Sequence, residues 1–265
     1  MKKVFTASFD PVSECELKYL RAYRREHQLK DLYLSVADEG ILAKELRVRL
    51  LEKAIAHDSH LHICDAREAE ILEPYDEEKI RKGLYRLAAC GIRRDLITEG
   101  YYLYETARAM CNPHRFAHTV SVAKTAVMLA HAHHMDEKKA WVMGMLHDIT
   151  KGFSDEENGK IIEIYKPEWL QISPKVWHSY TAVIFAKQNM SLSDQDIAYA
   201  LEHHTIGDGK TDWAALLYIA DKIEPLRGYD VSRQTASARK NLKKAAFEIR
   251  EESKVYILKT EGIHV

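Results

Sequence analysis

The sequence predicts a protein of two parts, a small α/β part over residues 1–105 and an all-α part over residues 106–265. The first part contains three short β-like runs, KVFTASF, DLYLSVAD and HLHICDA, separated by helical patterns. Strands that alternate with helices are typical of βαβ units and a parallel sheet. Beyond about residue 106 the β-like signal is lost, and apolar residues recur at the spacing of helices instead.

Length and composition restrict the class of protein. The chain has 265 residues, of which 46% are hydrophobic and 30% charged, a balance typical of a folded globular protein. The formal net charge of -1 argues against bulk electrostatic binding of nucleic acid, so neither DNA nor RNA is an expected partner. We see no apolar run of membrane length and no leader-like segment, which predicts a cytoplasmic protein without a membrane partner. Four scattered cysteines without a CxxC pair fit reduced thiols.

Capping residues and prolines predict where the helices of the second part begin. The predicted starts are Asn112-Pro113, Asp136, Ser173-Pro174, Ser193 and Thr211, and a final long helix is expected from near Ser232. The helix after Asp136 should extend to His147, and the helix after Thr211 should carry Asp221 towards its end.

Histidines and aspartates recur at the ends or inward faces of these predicted helices. They are His114, His118, His147, Asp148, His178, His203, His204 and Asp221. His114 and His118 are four residues apart and therefore project from one helix face. Asp221 ends an apolar run, where burial of a carboxylate is costly unless a positive charge meets it. Imidazole nitrogens and carboxylate oxygens from several helix ends can together bind a divalent metal.

The order of these residues, H…HD…H…H…D, resembles the HD-domain metal phosphohydrolases. More narrowly, residues 106–250 are similar to the YqeK family, bacterial enzymes that split diadenosine tetraphosphate symmetrically. The similarity is carried by NPHRFAHTVSVAKTAVMLA, GMLHDITKG, HSYTA, HHTIGDG and LLYIADKIEPLRG. A lone HD pair arises easily by chance, whereas five motifs in this order, including HRFxH and ADxIEPxR, are specific.

The resemblance implies a set of six metal ligands, His118, His147, Asp148, His178, His204 and Asp221. His204 is favoured over His203 because the family pattern places the second histidine of EHHT before the threonine. Such a set implies two metal ions in the divalent or trivalent state, with iron as the expected metal. Manganese, cobalt and nickel also suit nitrogen and oxygen ligands.

The resemblance also implies a reaction, in which a hydroxide bridging the two metals attacks phosphorus and yields two ADP. Asp148 and Lys151 are the expected catalytic residues. The expected substrate contacts are His114, Arg115, Lys151, Thr205, Gly207 and Arg227. Structural alternatives stay open for several of these: Lys151 could only stabilise a helix end, Arg227 could pair only with Glu224, and Asp221 could pair with Lys222.

Two other functions remain open at this point. One is an HD-type phosphohydrolase that acts on a mononucleotide or a guanosine alarmone. The other is a non-catalytic regulatory protein that binds nucleotides. A homodimer is implied by the resemblance alone.

The first part of the chain resembles a different family. FTASFDPVSECEL is similar to the first strand and turn of nucleotidylyltransferases of the nicotinate-mononucleotide type, whose FDPxHxGH motif supplies two histidines to a triphosphate. Ser13 and Glu16 stand at those two positions, and Cys15 replaces the glycine. YDEEKIRKGLYRL is similar to the later SSTxIR segment and retains Ile80-Arg81. The resemblance implies a degenerate, truncated Rossmann-like remnant, retained for structure, assembly or regulation.

Overall fold

The computed structural model describes residues 3–66 and 68–261. The chain divides into two compact units. The first comprises Met1–Leu96 and Asn189–Ser191, and the second comprises Ile97–Gln188 and Leu192–Val265.

The first unit is built on a small parallel sheet. Its strands are β1 (Val4–Ala7), β2 (Leu32–Val36), β3 (Leu61–Ile63) and β4 (Glu70–Ile71), in the spatial order β3-β2-β1-β4. All three neighbouring pairs are parallel. The expected α/β fold is therefore confirmed, and each of the three β-like runs forms a strand. The strand β4 is not predicted from the sequence, because two residues are too few to show an alternating pattern.

A helix connects β1 to β2 and another connects β2 to β3, as is usual for parallel neighbours. They are α1 (Glu14–Glu26) and α2 (Lys44–Ile55), and after β4 come α3 (Glu77–Arg81) and α4 (Arg93–Thr98). Ser13 and Glu16 form a capping box at the start of α1, in which each side chain binds the backbone N–H of the other residue. Leu17 and Leu20 on the inward face of α1 are buried, so the helix packs on the core of this unit.

The second unit is helical throughout its described residues, as expected. Its helices are α5 (Leu103–Met110), α6 (Pro113–Ala132), α7 (Glu137–Leu146), α8 (Asp155–Tyr165), α9 (Trp177–Met190), α10 (Gln195–His203), α11 (Asp212–Ile223), α12 (Ser232–Ala238) and α13 (Leu242–Glu261). Short 3-10 turns precede α9 and follow α11. Within the described residues, no helix combines the length and the apolar character that crossing a membrane requires.

Three predicted helix starts are confirmed by their caps. The side chains of Asn112, Asp136 and Thr211 each accept a backbone N–H at the beginning of α6, α7 and α11. Ser173 also caps, but the segment it begins is a short 3-10 turn, and α9 itself starts at Trp177. Capping side chains thus predicted these helix starts correctly, because the N–H groups of a first turn need an acceptor.

Two predictions about the later helices are wrong. The start of α10 is capped by Asp194 and not by Ser193, and the Asp194 carboxylate accepts the N–H groups of Asp196 and Ile197. An ionised carboxylate is favoured over a hydroxyl here because it also meets the positive end of the helix dipole. The long helix expected from Ser232 is interrupted, since α12 ends at Ala238 and Asn241 caps a new helix through the N–H of Lys244.

The helices α6 and α7 pack in close contact at Gly144. Gly144 lies against Ala123, so that a Cβ atom on Gly144 would stand 2.3 Å from the Cα atom of Ala123. Only glycine permits the two helix backbones to approach so closely. The helix α11, whose residues Ala214 to Asp221 are all buried, completes the core next to them.

Candidate metal centre

The helices α6, α7 and α11 bring three side chains together, His118, His147 and Asp221. The Nε2 atom of His118 lies 3.3 Å from Nε2 of His147 and 3.2 Å from Oδ1 of Asp221. The Nε2 atom of His147 lies 3.9 Å from the same Asp221 oxygen. All three offer a donor atom within 4.8 Å of the others, and we call them the first triad.

Asp148, His178 and His204 form a second triad, again with donor atoms within 4.8 Å of one another. Oδ1 of Asp148 lies 3.2 Å from Nε2 of His178 and 3.9 Å from Nε2 of His204. His178 stands on α9, and His204 immediately follows α10. The triad therefore depends on three segments that are distant in the sequence.

The adjacent residues His147 and Asp148 serve different triads. His147 belongs to the first, and Asp148 directs Oδ1 towards the second. The other oxygen, Oδ2, lies 3.8 Å from Nε2 of His147. The Asp148 carboxylate consequently lies between the two triads. Because His147 and Asp148 directly follow the last residue of α7, a single turn of the chain contributes one ligand to each triad.

Two of the histidines are oriented by backbone carbonyls. Nδ1 of His147 donates to the carbonyl of Gly144 over 2.7 Å, and Nδ1 of His204 donates to the carbonyl of Leu201 over 2.7 Å. A carbonyl oxygen only accepts, so the proton of each ring must lie on Nδ1 in these contacts. The lone pair of each Nε2 atom is then directed into its triad, as metal binding requires.

The donor set fits a metal ion on geometric grounds. Nδ1 of His118 lies 3.0 Å from Oε1 of Glu224, an acceptor that places this ring in the same tautomer as His147. The two Nε2 lone pairs then face each other across 3.3 Å, an arrangement that is repulsive without a cation or proton between them. Two nitrogens bound to one ion at about 2.0–2.1 Å, as in zinc sites, lie roughly 3.0–3.4 Å apart. Mixed imidazole and carboxylate donors suit first-row divalent metals.

Burial keeps the rings of His147 and His178 unprotonated, which leaves a nitrogen lone pair on each for a metal ion. Burial lowers the pKa values of both residues to about 4, because a charged imidazole loses its hydration there. Both rings are therefore neutral at neutral pH. His118 differs from these two residues. Burial lowers its pKa, but the hydrogen bond and the charge of Asp221 have a larger opposite effect, so the pKa of His118 is raised overall.

The two aspartates stay ionised in spite of their burial. Burial by itself raises the pKa of Asp148, but the electrostatic interaction with the His147 ring and the hydrogen bond of His178 hold this pKa well below its usual range. Burial likewise raises the pKa of Asp221, and the adjacent Lys222 ammonium outweighs it, so that this pKa is also well below its usual range. Each triad thus carries one carboxylate charge.

Four cationic side chains surround these carboxylates. Arg115 Nη1 lies 3.1 Å from Oδ2 of Asp148, and Lys222 Nζ lies 3.0 Å from Oδ2 of Asp221. Arg227 binds Asp221 twice, by Nη2 to the carboxylate and by Nε to the backbone carbonyl over 2.8 Å. Lys151 Nζ lies 3.0 Å from Nε2 of His178 and 4.0 Å from Oδ1 of Asp148. The side chains of all four keep between 26% and 33% of their surface exposed, so an anion can reach them.

The remaining substrate contacts expected from the sequence differ in their surroundings. Thr205 Oγ1 lies 3.3 Å from Nε2 of both His178 and His204, at the edge of the second triad. His114 is exposed on the first turn of α6 and has no hydrogen bond or ion pair with either triad in the described part of the chain. Gly207 has a φ of 72°, and a Cβ atom there would stand 2.6 Å from the Tyr218 ring. The turn and this packing therefore already require glycine at position 207.

The structure also separates the two histidines of EHHT. His204 is buried in the second triad, whereas His203 hydrogen-bonds Asp208 over 2.6 Å and contacts the ring of Tyr199 at a tilt of 41°. His204 is accordingly the residue of the pair that can share a metal with Asp148.

Sequence reasoning missed Glu224 and Lys222 as members of the site. The sequence indicates Glu224 only as a partner of Arg227, yet this residue is buried and contacts His118. The sequence indicates Lys222 only as an alternative partner of Asp221, and in the structure Lys222 does pair with this carboxylate. Both follow Asp221 in the ADKIEP segment, which was the available signal.

In the first unit, the residues that correspond to the transferase motifs, Glu16 and Arg81, make hydrogen bonds within the unit. Glu16 is fully buried and accepts the N–H of Ser13 over 2.6 Å. Arg81 Nη1 donates to the backbone carbonyl of Asp10 over 3.2 Å and lies 3.6 Å from Oε2 of Glu77. The guanidinium of Arg47, also fully buried, donates to three backbone carbonyls. These side chains are therefore engaged in contacts within the unit.

Comparisons with known proteins agree with these observations. A family model described as the HD domain matches residues 115–226, a range that contains all six residues of the two triads. The symmetrical bis(5'-nucleosyl)-tetraphosphatase of Bacillus subtilis is 33% identical over 152 residues, which cover 55% of this chain and 81% of that protein.

A further relative extends the similarity into the first unit. The probable nicotinate-nucleotide adenylyltransferase/Ap4A hydrolase of Mycoplasma genitalium is 30% identical over 244 residues, or 87% of this chain and 65% of that protein. Among solved structures, a protein from Clostridium acetobutylicum, described as a predicted HD superfamily hydrolase involved in NAD metabolism, is 25% identical with a TM-score of 0.57. The match covers 62% of this chain and 89% of that chain.

Proposed function

Because this chain belongs to the HD-domain hydrolases, in the family that includes the symmetrical bis(5'-nucleosyl)-tetraphosphatases, we propose that it hydrolyses diadenosine tetraphosphate to two ADP. The observation that carries the proposal is the pair of triads joined by the Asp148 carboxylate and surrounded by four cations. A dinucleoside tetraphosphate carries several negative charges along one chain, which the cationic side chains complement.

We assign one metal ion to each triad, with His118, His147 and Asp221 as ligands of one and Asp148, His178 and His204 as ligands of the other. HD domains bind divalent metals, and the donor atoms of both triads fit such ions. Iron is the proposed metal, with manganese, cobalt and nickel as alternatives. Metal ions bound there would polarise phosphoryl oxygens and lower the pKa of a bound water.

The side chains of this protein would position the substrate and balance its charge. Arg115, Lys151 and Arg227 would bind phosphate oxygens, Arg227 with the planar geometry that suits two oxygens at once. Lys151 would act at the second triad, where charge develops on the phosphoryl group under attack. We retain His114, Thr205 and Gly207 as proposed substrate contacts, with Thr205 the best placed. A departing ADP is a weak base, so no side chain is assigned as its general acid.

For the first unit we propose a structural role without adenylyl transfer. The burial of Glu16 and the internal bonds of Arg81 support this assignment. A homodimer and a cytoplasmic location remain predictions from the sequence, which light scattering and cell fractionation would test.

The activity is tested by metal analysis beside product chromatography. Protein purified without oxygen is analysed for metal and then incubated with diadenosine tetraphosphate. ADP as the sole nucleotide product supports the proposal, and the His147→Ala variant should form it more slowly by orders of magnitude. The His203→Ala variant is the matched control, because His203 lies outside both triads.

Other products would refute the proposal. ATP plus AMP would indicate asymmetric cleavage. Rapid hydrolysis of a mononucleotide or guanosine alarmone, with diadenosine tetraphosphate left intact, would indicate another HD phosphohydrolase. Nucleotide binding without any turnover would indicate a regulatory protein.

A further inference from the structure

His118 occupies a different position in its helix from His147 and His204. The latter two stand immediately after the last residue of α7 and α10. The last carbonyls of a helix have no partner within it, so each ring can donate to the carbonyl three residues before it. His118 instead lies in the second turn of the 20-residue α6, where the carbonyls already accept N–H groups of the helix. A backbone carbonyl is therefore not available to orient the His118 ring.

Glu224 supplies the missing acceptor. Its Oε1 atom lies 3.0 Å from Nδ1 of His118, and its Oε2 atom accepts the N–H of Leu226 over 2.7 Å. The residue comes directly after α11, and its side chain is only 1% exposed. Since one carboxylate oxygen is held by the backbone, the other is fixed in front of the imidazole.

The need for such an anchor is greatest at His118. Its side chain is 14% exposed, against 0%, 4% and 2% for those of His147, His178 and His204. A ring with less surrounding protein is held less firmly by packing, so a directional hydrogen bond has more to contribute. A carboxylate acceptor also increases the electron-donating power of the opposite ring nitrogen.

We propose that Glu224 is a positioning residue of the metal centre, which keeps the His118 proton on Nδ1 and directs Nε2 towards Asp221 and His147. The role concerns metal binding at the first triad. It rests on the metal centre of the proposed function, and it does not depend on which nucleotide is the substrate. The same turn carries Arg227, so Glu224 also links the metal ligand on α6 to the segment that contacts Asp221.

Three substitutions of Glu224 distinguish the effect of its side-chain length from the effect of its negative charge. Glu224→Gln keeps an acceptor oxygen at the same reach but loses the charge. Glu224→Asp keeps the charge but shortens the side chain, and Glu224→Ala removes both. Glu202→Ala is the control, because the Glu202 carboxylate pairs with Lys166 and contacts neither triad.

The readout is the affinity of the full-length protein for Mn²⁺, measured by competition with a chelator and without nucleotide. We expect Glu224→Ala and Glu224→Asp to weaken one of the two Mn²⁺ affinities, that of the first triad, by about 10–100-fold. This is the usual cost of losing a residue that orients a metal ligand. Glu224→Gln should lose less than Glu224→Asp, and Glu202→Ala should match the parent protein. In a His118→Ala background, Glu224→Ala should cause no further loss, since the ring through which it acts is gone.

Three results would overturn the proposal. One is unchanged Mn²⁺ affinity in Glu224→Ala protein that still folds. The second is a larger loss for Glu224→Gln than for Glu224→Asp, which would indicate that charge alone matters. The third is an equal effect of Glu224→Ala with and without His118. Should the alanine variant fail to fold, the comparison of Gln with Asp decides. Failure to hydrolyse diadenosine tetraphosphate would leave these binding results intact, so the two proposals can fail separately.

Discussion

The Nε2 atoms of His118 and His147 lie 3.3 Å apart, although the two residues belong to different helices and are 29 positions apart in the chain. Each ring has an acceptor at Nδ1, namely the Glu224 carboxylate and the Gly144 carbonyl. The close approach therefore directs two ring nitrogens at one point. A metal ion or a proton can occupy that point and bind both nitrogens.

Metal binding should accordingly stabilise the second unit. A ligand that binds only the folded state at 100 times its dissociation constant contributes about 2.7 kcal/mol. For a unit of this size that corresponds to a rise of roughly 5–10 °C in the unfolding temperature. Calorimetry with and without Mn²⁺ tests this, with His118→Ala/His147→Ala/His178→Ala protein as the control. Equal unfolding temperatures in all samples would contradict a folded metal site.

Removal of single ligands should change metal content in a pattern set by the two triads. His118→Ala affects the first triad and His178→Ala the second, so each should lower the metal content towards one ion per chain. Asp148→Ala should lower both occupancies, because its carboxylate lies between the triads. Turnover should fall by orders of magnitude in His147→Ala and Asp148→Ala protein. Elemental analysis distinguishes this pattern from a single shared site, for which every variant would lose the same amount.

Lys151→Ala should reduce turnover with little loss of metal. Lys151 contacts His178 and Asp148 but offers no lone pair to a metal while it is charged. Its loss removes a positive charge near the reacting phosphate, where a stabilising contact is worth about 2.7–4 kcal/mol in comparable sites. Kinetic constants and metal content are measured together, with Lys160→Ala as control because Lys160 pairs with exposed Glu156. If Lys151→Ala released metal as completely as His147→Ala, Lys151 would belong to the structure of the site and not to its chemistry.

Gly144→Ala should disrupt both stability and metal binding. The new methyl group would stand 2.3 Å from the Cα atom of Ala123, so α6 and α7 must move apart. Overpacking of this kind costs about 1–3 kcal/mol, and the shift would separate His118 from His147. Gly159→Ala on α8 is the matched control, because its nearest neighbour is 3.4 Å away in the Trp177 ring. Similar unfolding temperatures and metal contents for the two variants would rule out the proposed role of the helix contact.

The first unit should become less stable as the pH rises towards 7. Burial raises the pKa of Glu16 from 4.5 to about 7, and the nearby Glu77 charge adds to this. The folded state therefore binds a proton that the unfolded chain releases, and stability is lost between about pH 4.5 and 7. Glu16→Gln keeps an oxygen for the Ser13 N–H and should stabilise the unit at pH 8 by about 3 kcal/mol. Denaturant unfolding at pH 5 and pH 8 measures this, and an equal difference between the two proteins at both values would exclude a buried neutral Glu16.

Local patterns accounted for much of the fold. Three of the four strands, β1 to β3, coincide with the short β-like runs of the sequence, and the side chains of Asn112, Asp136 and Thr211 cap their own helices. Such features lie within a few residues of one another, where steric and hydrogen-bonding preferences act directly. The same locality explains the error at Ser193, because a neighbouring aspartate was an equally good local candidate and the stronger acceptor.

By itself, the sequence determined the helical scaffold, the small sheet and the residue types able to bind a metal. Only the tertiary structure decided that His147 and Asp148 face different triads, and that Glu224 orients a ring 106 positions away. Those relationships depend on how α6, α7 and α11 are placed beside one another. That placement follows from the burial of many apolar side chains and from the contact of Gly144 on α7 with Ala123 on α6, so no short stretch of the chain contains it.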